Sequence, residues 1–331
     1  MKAVQFKFGG NHDVVNVPKP QPASDEIVVR VKYSALDTAH PAILNKELTG
    51  YFLHNLKAPL YLGYHYSGVV ESFGAEVTDL ATGTGVFGFL QYEPSQVQGA
   101  LAEYITVKRH DCAVKPVNIS YERAAAAATE SVTALQALRD VGGLVIGSNG
   151  QQSVLINGSA GGVGSAAVQI AKRLGARVTA VCSTKDVVQV QKWGADTVID
   201  RTKDPQFLRT LLLQQKETTR FDVILDAPNR LSSSATGLLQ LQGGTIVNTV
   251  PTLTMVIGKL KTMFSSTKSV TSVQCRAKEA DLQLVGQWLE EGDLEIPIDS
   301  IYKINDIKAA MSKQVMGGKK GRVVIQIENG W

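Results

Sequence analysis

From Gln152 the chain alternates short, nearly continuous apolar runs with segments of helical periodicity, and this alternation limits the available folds more than any other feature. The run QSVLINGS reads as a strand, and VGSAAVQIAKRLG as an amphipathic helix closed by Gly175. RVTAVCS and KDVVQVQKWG repeat the pair, and TVID, DPQFLRTLLLQQK, FDVILDAP, SSATGLLQL and GTIVNTVP continue it. Strands apolar on both faces need helices over both faces, which implies an α/β fold around a doubly wound parallel sheet. The chain before Tyr121 has another texture. Short β-branched runs such as DEIVVRVKYSAL, YSGVVESFG and AEYITVKR are separated by Pro, Gly and Asp, so this part reads as β-rich. At Tyr121 an alanine-rich helical stretch, YERAAAAATESVTALQALRDVGG, takes over and ends on a glycine pair suited to a C-cap. The tail holds two more helices, AKEADLQLVGQWLEEG and NDIKAAMSKQVMGG, and a closing strand, RVVIQI.

Gly158, Gly161 and Gly164 lie between the first of these strands and its helix, at G-x-x-G-x-x-G spacing. Glycines there let the backbone turn tightly and approach a pyrophosphate, whose charge then rests on the helix N-terminus. A glycine-rich turn that only packs helix on strand would look the same in isolation. The surrounding βα units favour a dinucleotide held by Gly158, Gly161, Gly162, Val163 and Gly164. An acidic residue at the end of the second strand would bind the ribose hydroxyls of NAD. Here that strand runs TAVCSTKD, with Ser183 and Lys185 where the acid would stand, and Arg201 follows the third strand. Hydroxyls and cations suit a 2′-phosphate, so NADPH is the expected cofactor. Thr249 and Val250 close the fifth strand, where strand ends line the crevice of a doubly wound sheet.

Composition narrows the partners. With 44% hydrophobic and 19% charged residues over 331 positions, the chain has the make-up of a folded globular protein with room for two cores. The net charge of +4 is spread along the sequence rather than gathered in a stripe, which argues against nucleic acid. The sequence lacks an apolar run long enough for a membrane-spanning helix, and its amino terminus, MKAVQFKFGG, alternates like a strand rather than a secretory signal. A cytoplasmic setting is expected, or an organellar stroma if a transit peptide was removed. Cys112, Cys182 and Cys275 are far apart, which fits a reducing compartment and no metal pattern. Lys259, Lys261 and Lys268 are near enough together to suggest weak peripheral membrane association, though a solvated face is the simpler reading.

The ordered series MKAVQF, VPKPQP, DEIVVRV, LGYHYSGVVESFG, GALAEY, AAAAATESVTALQAL, VLINGSAGGVGSAAVQIAK, GADTVID, FDVILDA and GGKKGRVVIQI resembles the medium-chain dehydrogenase/reductase superfamily, in its zinc-free quinone oxidoreductase type. The resemblance covers essentially the whole chain. It implies a GroES-like catalytic domain over 1–121, a Rossmann domain over 122–271, and a return to the catalytic domain over 272–331. It also implies that Thr133 contacts the nicotinamide end of the cofactor, and that the protein is a homodimer. PTLTMVIGKLKTMF, with Val256, Met263 and Phe264, is the expected dimer edge.

Zinc-dependent relatives place a cysteine where this sequence has Asp37, and Gly-His-Glu where it has Gly63-Tyr64-His65. Asp37, His40 and His65 are the nearby candidate ligands, in no clear metal pattern, so a metal-free enzyme is expected. Without a Lewis acid, hydride transfer to a quinone or an α,β-unsaturated carbonyl is the easier chemistry, because charge spreads over the conjugated acceptor. Asp37 departs from the family's asparagine and is either an active-site acceptor or a turn cap. Ala39 stands where several quinone reductases have tyrosine. Among Tyr51, Tyr61, Tyr64 and Tyr66, Tyr64 is the best candidate proton donor, because its counterpart in zinc enzymes faces the substrate. A 2-enoyl thioester reductase and a catalytically idle NADPH-binding protein are the alternatives.

Overall fold

The computed structural model describes the chain except residues 58, 215–219, 232–239, 250–268 and 317–318. It divides into two compact units, Met1–Val132 with Arg276–Trp331, and Thr133–Cys275. Running along the chain, the first unit contributes β1 (Lys2–Phe6), β2 (His12–Asn16), β3 (Glu26–Leu36), α1 (Ala39–Leu44), α2 (Gly50–Leu53) and β4 (Leu60–Tyr61). It continues with β5 (His65–Phe73), β6 (Gly85–Phe89), β7 (Tyr104–Lys108), β8 (Cys112–Val114) and most of α3 (Tyr121–Leu135). The second unit holds β9 (Ser153–Asn157), α4 (Gly162–Arg173), β10 (Arg177–Cys182), α5 (Val187–Lys192) and β11 (Thr197–Asp200). To these it adds α6 (Phe207–Gln214), β12 (Phe221–Asp226), β13 (Gln240–Asn248) and β14 (Ser269–Ser272). The chain then rejoins the first unit through α7 (Glu279–Glu291), β15 (Ile298–Lys303), α8 (Ile307–Val315) and β16 (Arg322–Gln326).

The second unit is built on a six-stranded sheet in the order β11-β10-β9-β12-β13-β14, every neighbouring pair parallel. Numbered from β9, that order is 3-2-1-4-5-6, the doubly wound Rossmann arrangement, and its direction reverses between β9 and β12. Val154, Leu155, Ile156, Val223, Ile224 and Leu225 are wholly buried, as central strands covered on both faces must be. Helix α4 packs on this sheet with Ala166, Ala167, Val168, Ile170 and Ala171 buried, and Gly175 ends it in the left-handed conformation at φ +87°. The expected segment SSATGLLQL lies outside the described residues as far as Leu239, as does the whole proposed dimer edge with Val256, Met263, Phe264 and the three neighbouring lysines.

The first unit is the β-rich, GroES-like one. Its seven-stranded sheet runs β15-β16-β3-β5-β6-β8, with β7 also paired to β3. The late strand β16 lies antiparallel beside β3, Val323 opposite Leu36, so chain ends more than 280 residues apart form one sheet. Strand β3 buries Ile27, Val28 and Val29 near its start and Ala35 and Leu36 at its end, where it lies between β5 and β16. The alanine run Ala124–Ala128 of α3 has no exposed surface, which small side chains permit where backbones crowd together. This helix was expected to run to a glycine pair, and it does, but its last turn loosens into a π-helical stretch, Gln136–Val141, before Gly143 turns at φ +75°.

Close backbone packing makes one glycine in the β3–β5 pair indispensable. A Cβ on Gly68 would lie 2.1 Å from the Arg30 carbonyl oxygen, which is backbone and cannot yield. Gly68→Ala is therefore expected to lower unfolding stability by about 3 kcal/mol, read by chemical denaturation.

Candidate functional site

In the first unit the sheet register delivers a set of polar side chains to one place. Asp37 follows the last residue of β3, His65 opens β5 opposite Ala35, and Arg322 opens β16 next to the residue that faces Leu36. Tyr92 comes three residues after β6, whose Phe89 pairs with His65. Adjacent antiparallel strands thus place a carboxylate, an imidazole, a guanidinium and a phenol at a single end of the sheet. Helix α1 adds His40 and α3 adds Glu130.

Asp37 is the hub, and it is buried. Its Oδ1 accepts from the Ala39 amide at 2.8 Å and lies 2.9 Å from His40 Nδ1. Its Oδ2 accepts from the Tyr92 hydroxyl at 2.5 Å and lies 3.0 Å from His65 Nε2. Burial pushes this carboxyl upward, but the attraction and hydrogen bonds of His40 and His65 outweigh it and hold the group well below the usual carboxylate range. Asp37 therefore caps the turn into α1 and also organises a polar cluster. Arg322 pairs with Glu130 Oε1 through Nη1, and its Nη2 lies 3.0 Å from His65 Nε2. Glu130 Oε2 is 3.5 Å from His65 Nδ1.

Tyr64 is fully buried, and its hydroxyl lies 3.2 Å from the Leu53 carbonyl and 3.0 Å from His54 Nδ1. Its ring stacks on Tyr92 with centroids 4.1 Å apart. Burial, and then the Asp37 charge, push its phenol well above the ordinary value. Burial, with Asp37 and Glu130 next, does the same to Tyr92. Tyr92 is the phenol that reaches Asp37, and sequence reading missed it. The signal was present in QYEPSQVQGALAEY, a longer segment placed just after a strand that pairs with the one carrying His65.

This donor set does not fit a zinc ion. A guanidinium nitrogen stands 3.0 Å from the very ring nitrogen that would bind the metal, and Tyr92 occupies the matching carboxylate oxygen. Among the described residues no group of three or more His, Cys, Asp or Glu is arranged to hold a metal.

In the Rossmann unit the glycines sit where sequence reading put them. Gly158 turns at φ +75° directly after β9, and a Cβ there would strike Pro228, which follows β12. A Cβ on Gly164 would lie 2.1 Å from the Gly158 carbonyl oxygen, so the first turn of α4 can close on the loop only without a side chain. Gly161 is the N-cap of α4, no side chain caps the helix, and its first turn, which includes Gly162, Val163 and Gly164, has no acidic residue. Such an end presents free backbone N–H groups and a positive dipole, which suits a pyrophosphate. Asn157 donates to Asp226 Oδ1 at 2.8 Å across the β9–β12 pair, bracing the switch point. Thr249 Oγ1 donates to the Ala227 carbonyl at 2.8 Å. Thr133 is buried on α3, and Val250 lies outside the described residues.

At the end of β10 the hydroxyl of Ser183 is already engaged, donating to Asp186 Oδ2 at 2.5 Å. Burial pushes Asp200 of β11 upward, but Thr184 and the amides of Thr202 and Lys203 hold it below the usual carboxylate range. Lys185 and Arg201 are exposed beside this pair of carboxylates.

Comparison with known proteins agrees with this geometry. The alcohol dehydrogenase GroES-like domain model matches residues 23–117, and the zinc-binding dehydrogenase model matches residues 193–325. The mouse mitochondrial NAD(P)H oxidoreductase RTN4IP1 is 30% identical over 290 residues, 81% of this chain and 71% of its own. The chain belongs to the medium-chain dehydrogenase/reductase superfamily and is quinone oxidoreductase-like. The chloroplast envelope quinone oxidoreductase homolog of Arabidopsis thaliana is 26% identical over 98% of both chains. In fold the chain is similar to the quinone oxidoreductase of Coxiella burnetii, with a TM-score of 0.83 over 99% of both chains at 24% identity.

Two outcomes follow from this geometry. Gly164→Ala is expected to raise the Kd for NADPH at least about tenfold, read by fluorescence titration with circular dichroism confirming the fold. His54 is pushed down to about 4 by burial, with His40 adding to the effect. The unfolded chain takes up a proton near pH 6.5 that the folded chain refuses until about pH 4, so stability falls as pH drops through that window. In His54→Gln this loss is absent, and the stability advantage of the parent should shrink by about 3 kcal/mol between pH 7 and 4 in denaturation measurements.

Proposed function

We propose that this protein is an NAD(P)H-dependent oxidoreductase that delivers hydride to quinones or α,β-unsaturated carbonyls, with NADPH preferred. The observation that carries the reading is the glycine-cradled turn from β9 into α4, at the switch point of the 3-2-1-4-5-6 sheet. There Gly158, Gly161, Gly162, Val163 and Gly164 would hold the pyrophosphate, and Thr133 and Thr249 would line the nicotinamide end. Bound reduced nicotinamide supplies the hydride. The names of the mouse and Arabidopsis relatives support the cofactor class and the quinone-type acceptor.

The preference for NADPH rests on Lys185 and Arg201. With Ser183 tied to Asp186, these two cations are the groups left to meet a 2′-phosphate at the end of β10. The acceptor class rests on the donor chemistry of the catalytic unit. Its polar cluster offers a phenol and imidazoles rather than a Lewis acid, which suits an acceptor that spreads its own charge. Exposed Tyr51 and Phe52 on α2, just before His54, supply apolar surface for a flat conjugated molecule.

The deciding assay follows NADPH absorbance with purified protein against 1,4-benzoquinone, a short enone, a long-chain enone and an enoyl thioester, with NADH in parallel. Turnover of quinone or enone, unchanged by a chelator, is the expected result. Tight NADPH binding without turnover of any acceptor overturns it. Lys185→Ala should raise the KM for NADPH about tenfold and leave that for NADH within a factor of about two.

A further inference from the structure

Asp226 closes β12, and among the described residues of the second unit it is the one buried aspartate, glutamate, lysine or arginine. Two hydrogen-bond donors meet its side chain. Asn157 Nδ2, on β9, donates to Oδ1 at 2.8 Å, and the Leu231 amide donates to Oδ2 at 2.7 Å. A carboxylate taken out of water is costly unless its oxygens are well supplied with donors. An amide at this position would not replace it. Both partners donate, so an amide would satisfy one and turn its NH2 against the other.

What these bonds shape is the loop of residues 227–231, which is tied down along its length. The Asp226 carbonyl accepts from the Asn229 amide at 3.2 Å, and Asn229 takes the left-handed conformation at φ +52°. The Ala227 amide donates to the Asn157 carbonyl at 3.3 Å, and the Ala227 carbonyl accepts from Thr249 Oγ1. Leu231 is half-buried against the cluster that contains Leu155, Val181, Phe221 and Ile224. Between these ties Pro228 is exposed and sits on the glycine turn, since a Cβ on Gly158 would lie 2.8 Å from Pro228 Cδ. Sheet register explains the reach. Asn157 stands directly opposite Asp226 on neighbouring strands, where the strand order reverses. Their bond joins the two halves of the sheet at its ligand-binding end.

In a sheet of this order the cofactor's adenosine ribose meets the end of the second strand. By that rule β9–β11 would carry the adenosine half and β12–β14 the nicotinamide half. We propose that Asp226 is a positioning residue for the nicotinamide half, holding Pro228 on Gly158 so that the loop after β12 forms a fixed wall of the crevice. The proposal rests on the dinucleotide reading above. Asp226 acts through Asn157 and Leu231 and needs no contact with the cofactor itself.

Binding separates this role from a merely structural one. NADPH spans both halves, whereas 2′,5′-ADP carries only the adenosine half. In Asp226→Asn the Kd for NADPH should rise about tenfold, while that for 2′,5′-ADP stays within about twofold, both read by calorimetric titration. Asn157→Ala removes one donor and leaves the other, and should weaken NADPH binding about threefold. The double variant Asn157→Asp/Asp226→Asn reverses the pair. Its new amide can give NH2 to the new carboxylate and oxygen to the Leu231 amide, so the Kd for NADPH should return to within about threefold of the parent. NADH and 5′-AMP run in parallel read a preference for NADH in the same way. An unchanged Kd for the dinucleotide in Asp226→Asn overturns the proposal, as does an equal loss of both ligands or a double variant without recovery. If Asp226→Asn does not fold, Asn157→Ala and the double variant carry the decision. A parent protein that binds no dinucleotide and neither half-ligand overturns the dinucleotide reading, and the proposal falls with it.

Discussion

A carboxylate taken out of water needs donors at both oxygens, and in this protein that requirement falls on Asp37. Moving an unpaired charge into the interior costs several kcal/mol, so each of its partners must be held in place by something else. The Ala39 amide is held by the first turn of α1, His65 by the β3–β5 register, and Tyr92 by the end of β6. Arg322 and Glu130 neutralise each other beside it. The four strands β16-β3-β5-β6 are thus more than a wall. Their order decides which side chains share one end of the sheet.

The Rossmann unit meets a different constraint, a turn from β9 into α4 in which backbone must approach backbone closely. Close approach of Gly164 to the Gly158 carbonyl and of Gly158 to Pro228 pulls the β9–α4 turn tight. The first turn of α4 leaves free amides and a positive dipole end there. Positive and negative groups then gather at the far end of the crevice, where Asp186, Asp200, Lys185 and Arg201 crowd the ends of β10 and β11. Burial, followed by Asp186 and Asp200, pushes the Cys182 thiol up to about 11, which keeps it protonated and unreactive at that strand end.

Local patterns carried much of this into view. The βα alternation from Gln152 specified the parallel sheet, because period and apolarity suffice to distinguish strands buried on both faces from those with one wet face. The glycine spacing located the tight turn from β9 into α4, where Gly158 and Gly164 have no room for a Cβ. Asp37 stood out as a departure at a position the family makes important. Its reading as a turn cap agrees with the geometry, since one oxygen accepts from the Ala39 amide, while the other meets His65 and Tyr92.

What the linear order alone determined is therefore the class of each unit, the glycine cradle and the oddity of Asp37, all of which follow from spacing within a few residues. Tertiary structure decided the rest. Glu130 and Arg322 are separated by nearly two hundred residues and become partners only because β16 returns to lie against β3. Tyr92 outranks Tyr64 as the phenol at the carboxylate because strand pairing turns the Tyr64 hydroxyl toward His54. Ser183 reads as a phosphate ligand in one dimension, yet in the fold its hydroxyl bonds to Asp186. Each of these choices turns on which atoms meet across strands and turns, and that depends on sheet register and packing that no local run of residues specifies.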